Sequence, residues 1–188
     1  MATAAVYCSS CLSPLFPSFF MQIDKQQREQ LQQAYRGELY GIAFFSTMLA
    51  GFRDWDAMGR HRHAFELLLQ VERVTAAQLE RQLPSFGCVC QPHDEEMAAK
   101  GDADASRWLN LSWESLIDTM VDWVAPYQEV YRQQRVKAEQ HHSPMTELFH
   151  LVDEHETAIY CYLLAQQRNE ANATQILSDF IARHHVAC

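Results

Sequence analysis

Three titratable side chains interrupt apolar stripes that run at helical spacing: Glu38, Glu72 and His155. Glu38 falls among Leu31, Ala34, Tyr35, Ile42, Phe45 and Leu49, and Glu72 among Phe65, Leu68, Leu69, Thr75, Ala76, Leu79 and Leu83. His155 falls among Leu148, Leu151, Val152, Ala158, Ile159 and Tyr162. Glu156 follows directly and turns inward on a second stripe with Phe149, Val152, Ile159 and Leu163. A buried carboxylate costs several kcal/mol unless it is paired, protonated or bound to a cation. Carboxylates and an imidazole meeting from separate helices are the ligands a bundle core offers to iron or manganese. Glu38, Glu72, His155 and Glu156 are therefore the candidate metal ligands. The competing chemistry is a metal-free polar core. There Glu72 pairs with Arg62, Arg73 or an arginine of another helix, Glu38 accepts from Tyr35, Tyr127 or Tyr160, and His155 is a satisfied core imidazole. The sequence leaves both open.

The elements that must position these residues are helices. From Asp24 onward good helix formers dominate, and the apolar spacing is 3–4. The pattern predicts a first helix over 24–50, with Asp24 as N-cap and Gly51 as stop, and a second over 57–83 ended by Pro84. A third is expected over 112–138, with Trp113, Leu116, Met120, Val124, Tyr127 and Tyr131 inward and a kink or break at Pro126. A fourth covers 145–167 and a shorter fifth 170–184, with Ile176, Leu177, Phe180 and Ile181 inward. Residues 84–107 carry turn residues and charges without sustained periodicity and read as one long connection. Short links make antiparallel neighbours, whereas a long link midway can cross the bundle and make two helices parallel. The expectation is an all-α chain: an N-terminal extension over 1–23 and one domain over 24–184.

The segments YRGELYGIAFF, LLLQVERVTAAQLE and LFHLVDEHETAIYCYLLA resemble helices of the ferritin-like superfamily, with some likeness to its rubrerythrin-type and uncharacterised bacterial branches. The resemblance covers about residues 24–184. It implies a ferritin-like four-helix bundle with a long crossover between helices 2 and 3 and an extra C-terminal helix. It also implies iron or manganese, with oxidoreductase chemistry on dioxygen or peroxide. In di-iron members two helices give one Glu each and two give a Glu-x-x-His pair. Glu38 matches the first lone Glu and Glu72 the Glu of a pair, but Thr75 stands where the pair's His would be. His155 matches the other His, but Val152 stands where its Glu would be. The third helix has no inward carboxylate, since Glu114, Asp118, Asp122 and Glu129 lie on an outward stripe. The implied site is thus reduced to one metal on Glu38, Glu72, His155 and Glu156, with Glu156 a ligand or proton carrier, or it is lost.

The remaining features bound the function. Among 188 residues, 24 acidic against 15 basic side chains give a net charge of −9, which opposes a nucleic-acid partner. No glycine-rich phosphate loop or Rossmann fingerprint points to a nucleotide cofactor. Nothing reaches transmembrane length, and residues 1–20 lack the basic start of a signal peptide, so no membrane is implied and a cytoplasmic location is expected. Met21 is an alternative start. Cys8-x-x-Cys11 and Cys88-x-Cys90, with His93, make a weak zinc pattern, whose alternative is surface thiols; Cys161 is expected in the core. His61 and His63, His141 and His142, and His184 and His185 fall near helix ends. Tyr35, Phe44, Phe45, Tyr127, Tyr160 and Tyr162 lie near the candidate site by register, as core or as redox-active neighbours. Phe52, Trp55, Trp108 and Trp123 are expected to be exposed, as a surface for a homodimer or a partner in a non-enzymatic bundle.

Overall fold

The computed structural model describes residues 24–56 and 58–185. The expected 1–23 extension, the alternative start at Met21, and Cys8 and Cys11 lie outside the described residues. Within them the chain is helical, without strands: α1 Lys25–Gly51, α2 Arg60–Gln82, a 3-10 turn Leu83–Phe86, α3 Glu95–Trp108, α4 Trp113–Gln140, α5 Thr146–Gln167 and α6 Thr174–His184. Asp24 caps α1 by accepting from the Gln26 amide, and Ser112 caps α4 by accepting from that of Ser115. Gly59, at φ 69°, is the left-handed residue ahead of α2, which begins at Arg60 against the expected start at 57. Pro126 lies inside α4, yet the helix continues to Gln140 without the expected break.

Residue pairings give the directions. Phe45 and Phe52 both meet Phe65, and Gly41 lies against Glu72, so α1 and α2 are antiparallel. Trp113 donates to Gln166, Gln128 to Thr157 and Arg135 to Asp153, so α4 and α5 are antiparallel. Ser143, just ahead of α5, donates to Gln27, and His155 faces Glu38, so α5 runs parallel to α1. The four long helices therefore run up, down, down, up. The segment after α2 travels the length of the molecule before α4 begins. α6 then packs on α2 and α5.

That long segment is not the unstructured connection its composition predicts. It contains α3, laid along α1. Asp94 accepts from the Met97 amide at 3.1 Å as N-cap, and from Arg36 Nε on α1 at 2.6 Å. At Gly101 a Cβ would stand 2.5 Å from the Tyr40 carbonyl oxygen and 3.0 Å from the Phe44 amide nitrogen. The helices thus touch backbone to backbone, which only glycine permits. Tyr40 then donates to Asp104 at 3.1 Å. With α3 on its outer side, α1 buries Tyr40, Phe44 and Met48 beside Leu31, Ala34, Tyr35, Glu38 and Phe45, whereas Ile42 and Leu49 are half-buried.

The aromatic residues expected on the surface turn inward, Trp108 and Trp123 through α3, and Phe52 and Trp55 against Phe65 of α2. Phe52 is 2% exposed, and Trp55, Trp108 and Trp123 are half-buried against the core. Trp108 and Trp123 meet edge to face with ring centres 5.6 Å apart, and Trp55 does so with Phe65 at 5.8 Å. Two expectations fail in the other direction. Cys161 is exposed, because its position lies off the His155, Ile159 and Tyr162 face, and Tyr127 keeps 47% of its surface in solvent at the edge of α4. No helix among the described residues is long and apolar enough to cross a membrane.

Candidate metal centre

Four helices converge where the polar residues break their stripes. Glu38 from α1, Glu72 from α2 and His155 from α5 are all buried, and one potential ligand atom from each lies within 4.8 Å of the others. His155 Nδ1 is 3.4 Å from Glu38 Oε2, and its Nε2 is 3.7 Å from Glu72 Oε2 and 3.9 Å from Glu156 Oε2. Glu156 is thus beside the trio rather than within it. α4 brings Tyr131, whose hydroxyl lies 3.7 Å from where a Cβ on Gly37 would be. Gly41 has a specific reason to be glycine: a Cβ there would overlap the Glu72 carboxylate.

Thr75, the residue in place of a histidine, has a position of its own. Its hydroxyl is 2.9 Å from His155 Nδ1. With the proton on Nδ1, the imidazole donates to Thr75 and leaves the Nε2 lone pair facing Glu72 and Glu156. Among the described residues this is the one hydrogen bond to the imidazole, and the cations expected to neutralise the acids are elsewhere. Arg62 stacks on Trp55 at 4.8 Å and Arg73 is exposed. None of Tyr35, Tyr127 and Tyr160 donates to Glu38, whose Oε2 is buried without a hydrogen-bond partner. Among the described residues, therefore, no cation pairs with the buried glutamates.

Burial and crowding set the protonation. Desolvation, with the neighbouring carboxyl of Glu72, pushes the Glu38 carboxyl well above its ordinary value. Desolvation lifts Glu72 to about 8 and Glu156 to about 8, and lowers His155 to about 3. The Tyr131 phenol is raised as well, by burial and then by Glu156. Near neutral pH the cluster is thus a set of protonated carboxyls around a neutral imidazole. A divalent cation would replace those protons.

The residues fit such an ion. Hard carboxylate oxygens and one imidazole, with no thiolate, suit iron or manganese. Ligand atoms held at about 2.0–2.2 Å from one ion stand roughly 3.0–3.6 Å from one another, so the side chains, now within 4.8 Å, would draw together by about an ångström to close the shell. The unpartnered Glu38 oxygen is a free ligand atom in the middle of it. Three protein ligands would leave the ion room for others, and the same three side chains line a cavity of about 210 Å³. Its inner end is Glu38, Glu72, His155 and Glu156, its walls are largely aromatic, and Met97, Lys100 and Asp104 of α3 form its outer edge.

Among the described residues the other thiols and histidines form no such cluster, and the pattern that includes Cys8 and Cys11 lies partly outside them. Cys88 is buried and Cys90 half-buried, burial raises both thiols, and His93 is exposed. His184 accepts from or donates to Glu154 at 2.6 Å, and His61 stacks on Trp113 at 4.0 Å. No family model, no curated protein and no solved structure matches this chain.

Proposed function

We propose that this chain is a ferritin-like helical-bundle protein that holds one iron or manganese ion on Glu38, Glu72 and His155 and uses it as an oxidoreductase. One observation carries the reading: two buried carboxyls and a buried neutral imidazole stand within 4.8 Å of one another with no Lys or Arg paired to them among the described residues. The up, down, down, up course of the long helices supports the ferritin-like assignment, because a full-length crossover is that bundle's connectivity. The ion would supply redox activation of dioxygen or peroxide.

The chain's own residues have separable roles. Glu38 and Glu72 bring the negative charge, and the Thr75 hydroxyl engages His155 Nδ1, which orients the ring with Nε2 towards Glu72 and Glu156. Glu156, 3.9 Å from His155 Nε2 and facing the cavity, carries a proton at its carboxyl. Phe44, Trp123 and Tyr131 line the cavity and keep bulk water from the inner end.

Elemental analysis of untagged protein, purified without chelator, tests the reading. About one iron or manganese per chain is expected, lost in Glu72→Ala and His155→Ala. Manganese at about a hundred times its dissociation constant stabilises by about 2.7 kcal/mol, or roughly 5–10 °C for a domain of this size. Protein that is metal-free and does not shift in melting temperature on adding either ion refutes it.

A further inference from the structure

α1 and α4 approach each other closely at few points, unlike the tightly packed pairs α1 with α2 and α4 with α5. Aromatic rings hold them apart. Phe44 and Trp123 stack with ring centres 5.7 Å apart, Tyr40 meets Trp123 at 5.6 Å, and Tyr127 closes the row 6.1 Å from Trp123. The space beside this row is the cavity of about 210 Å³. An apolar cavity of about 150 Å³ takes one benzene ring. This one therefore has room for a single ring with a short substituent, and not for a fused or two-ring molecule.

Its polar atoms narrow the class further. Glu38, Glu72 and Glu156 face it from within and Asp104 from its edge, and no Lys or Arg lines its inner end among the described residues, so a ligand carboxylate or phosphate would find no countercharge there. Lys100 lies 5.4 Å over the Tyr40 ring at the outer edge, on the exposed face of α3, and does not reach the inner end. Once Glu38, Glu72 and His155 are taken as ligands, Glu156 is the remaining carboxyl with no hydrogen bond from the protein among the described residues. Even with its proton in place, the Glu156 carboxyl keeps a carbonyl oxygen that can accept from a ligand hydroxyl. We infer that this cavity binds a neutral single-ring aromatic molecule carrying one hydroxyl, with the ring against Phe44 and Trp123 and the hydroxyl donating to Glu156. This deepens the proposed oxidoreductase reading by naming its substrate class. It rests on that reading for the chemistry but not for the binding.

Ligand-observed NMR titrations of the full chain with phenol, toluene and benzoate test it, run once in EDTA and once with manganese chloride. Phenol is expected to saturate in the millimolar range or below, about tenfold tighter than toluene, with benzoate weaker than both. In Glu156→Leu the preference of phenol over toluene collapses to about unity while toluene still binds, which a merely misfolded variant would not show. Trp123→Ala, which opens the wall, should admit 2-naphthol. Binding of phenol in EDTA supports the cavity assignment even if the metal analysis fails. Absence of saturable phenol binding in both titrations, benzoate binding as well as phenol, or an unchanged phenol preference in Glu156→Leu overturns it.

Discussion

Replacing Glu72 with Gln keeps the shape of the side chain and removes its titration, so it isolates what burial of this carboxyl costs. In the folded chain Glu72 holds its proton up to about 8, against 4.5 for an ordinary glutamate. The sign follows from the proton count. Between those values the folded state binds more protons than the unfolded state, so stability is lost as pH rises and is fullest below about 4.5. At about 1.4 kcal/mol for each unit, the ceiling for this one group is about 5 kcal/mol at pH 8. Sharing of the burden with Glu38, which lies against it, lowers the expected effect to about 2–4 kcal/mol. In EDTA, Glu72→Gln should therefore be more stable than the native chain at pH 8, and the difference should shrink toward zero near pH 5. For a domain of this length that is roughly 5–12 °C in melting temperature at the alkaline end. Manganese in excess should reverse the order, because the native chain gains binding energy that the amide cannot supply. Paired melts in urea or by calorimetry from pH 5 to 8.5 read the effect. A difference that is flat with pH, or a Glu72→Gln variant that is the less stable chain at pH 8 in EDTA, refutes a protonated buried carboxyl as the resting state of the site.

Two other substitutions test the scaffold. Gly101→Ala places a Cβ 2.5 Å from the Tyr40 carbonyl oxygen, where both partners are backbone; it should cost about 2 kcal/mol or more by the overpacking it forces, and amide hydrogen exchange should rise in α3 before the rest. Arg135→Ala removes the partner 2.6 Å from the buried Asp153 carboxylate, whose Oδ1 has no hydrogen bond, and should destabilise by about 3 kcal/mol at pH 7 in denaturant melts, with part of the loss recovered when Asp153→Asn is added.

What the sequence made legible is what apolar periodicity reports. The four long helices and the meeting of Glu38, Glu72 and His155 follow from stripes that a charged residue interrupts, because a helix that buries one face must bury whatever sits on it. α3 is hidden for the opposite reason. It is held by a missing side chain at Gly101 and by polar bonds, Asp94 with Arg36 and Asp104 with Tyr40, and none of these leaves a periodic apolar signal. Its readable signs are Asp94 ahead of Glu95 and Glu96, a capped and acidic first turn, and the short helical spacing of Met97, Gly101, Ala105 and Trp108 among charged residues. Reading α3 as a loop also misplaces Trp108 and Trp123, which lie inward only because α3 and α1 meet α4 through them. Thr75 can be read only as a departure from a ligand pattern. Its hydroxyl against His155 needs coordinates.

The helix that reads as a connection is also the one that covers the outer side of the polar cluster's cavity. α1 and α4 stand apart, so without α3 the cavity would lie open along its outer side and water would reach Glu156 and the two glutamates behind it. Hydrated carboxyls keep ordinary acidity, bind cations weakly and cost the fold nothing. With Met97, Lys100 and Asp104 across the outside, the same carboxyls lose water and hold their protons to about 8 at Glu72 and Glu156. They then gain most from a cation that replaces those protons. The close approach at Gly101 is therefore coupled to the acidity at Glu72, although the two residues share no contact. That coupling has a measurable form: in the Gly101→Ala background, the pH-dependent advantage of Glu72→Gln should fall by half or more. Full additivity of the two substitutions across pH 5 to 8.5 would show that α3 does not set the dielectric of the site, and that burial by the four long helices alone is sufficient.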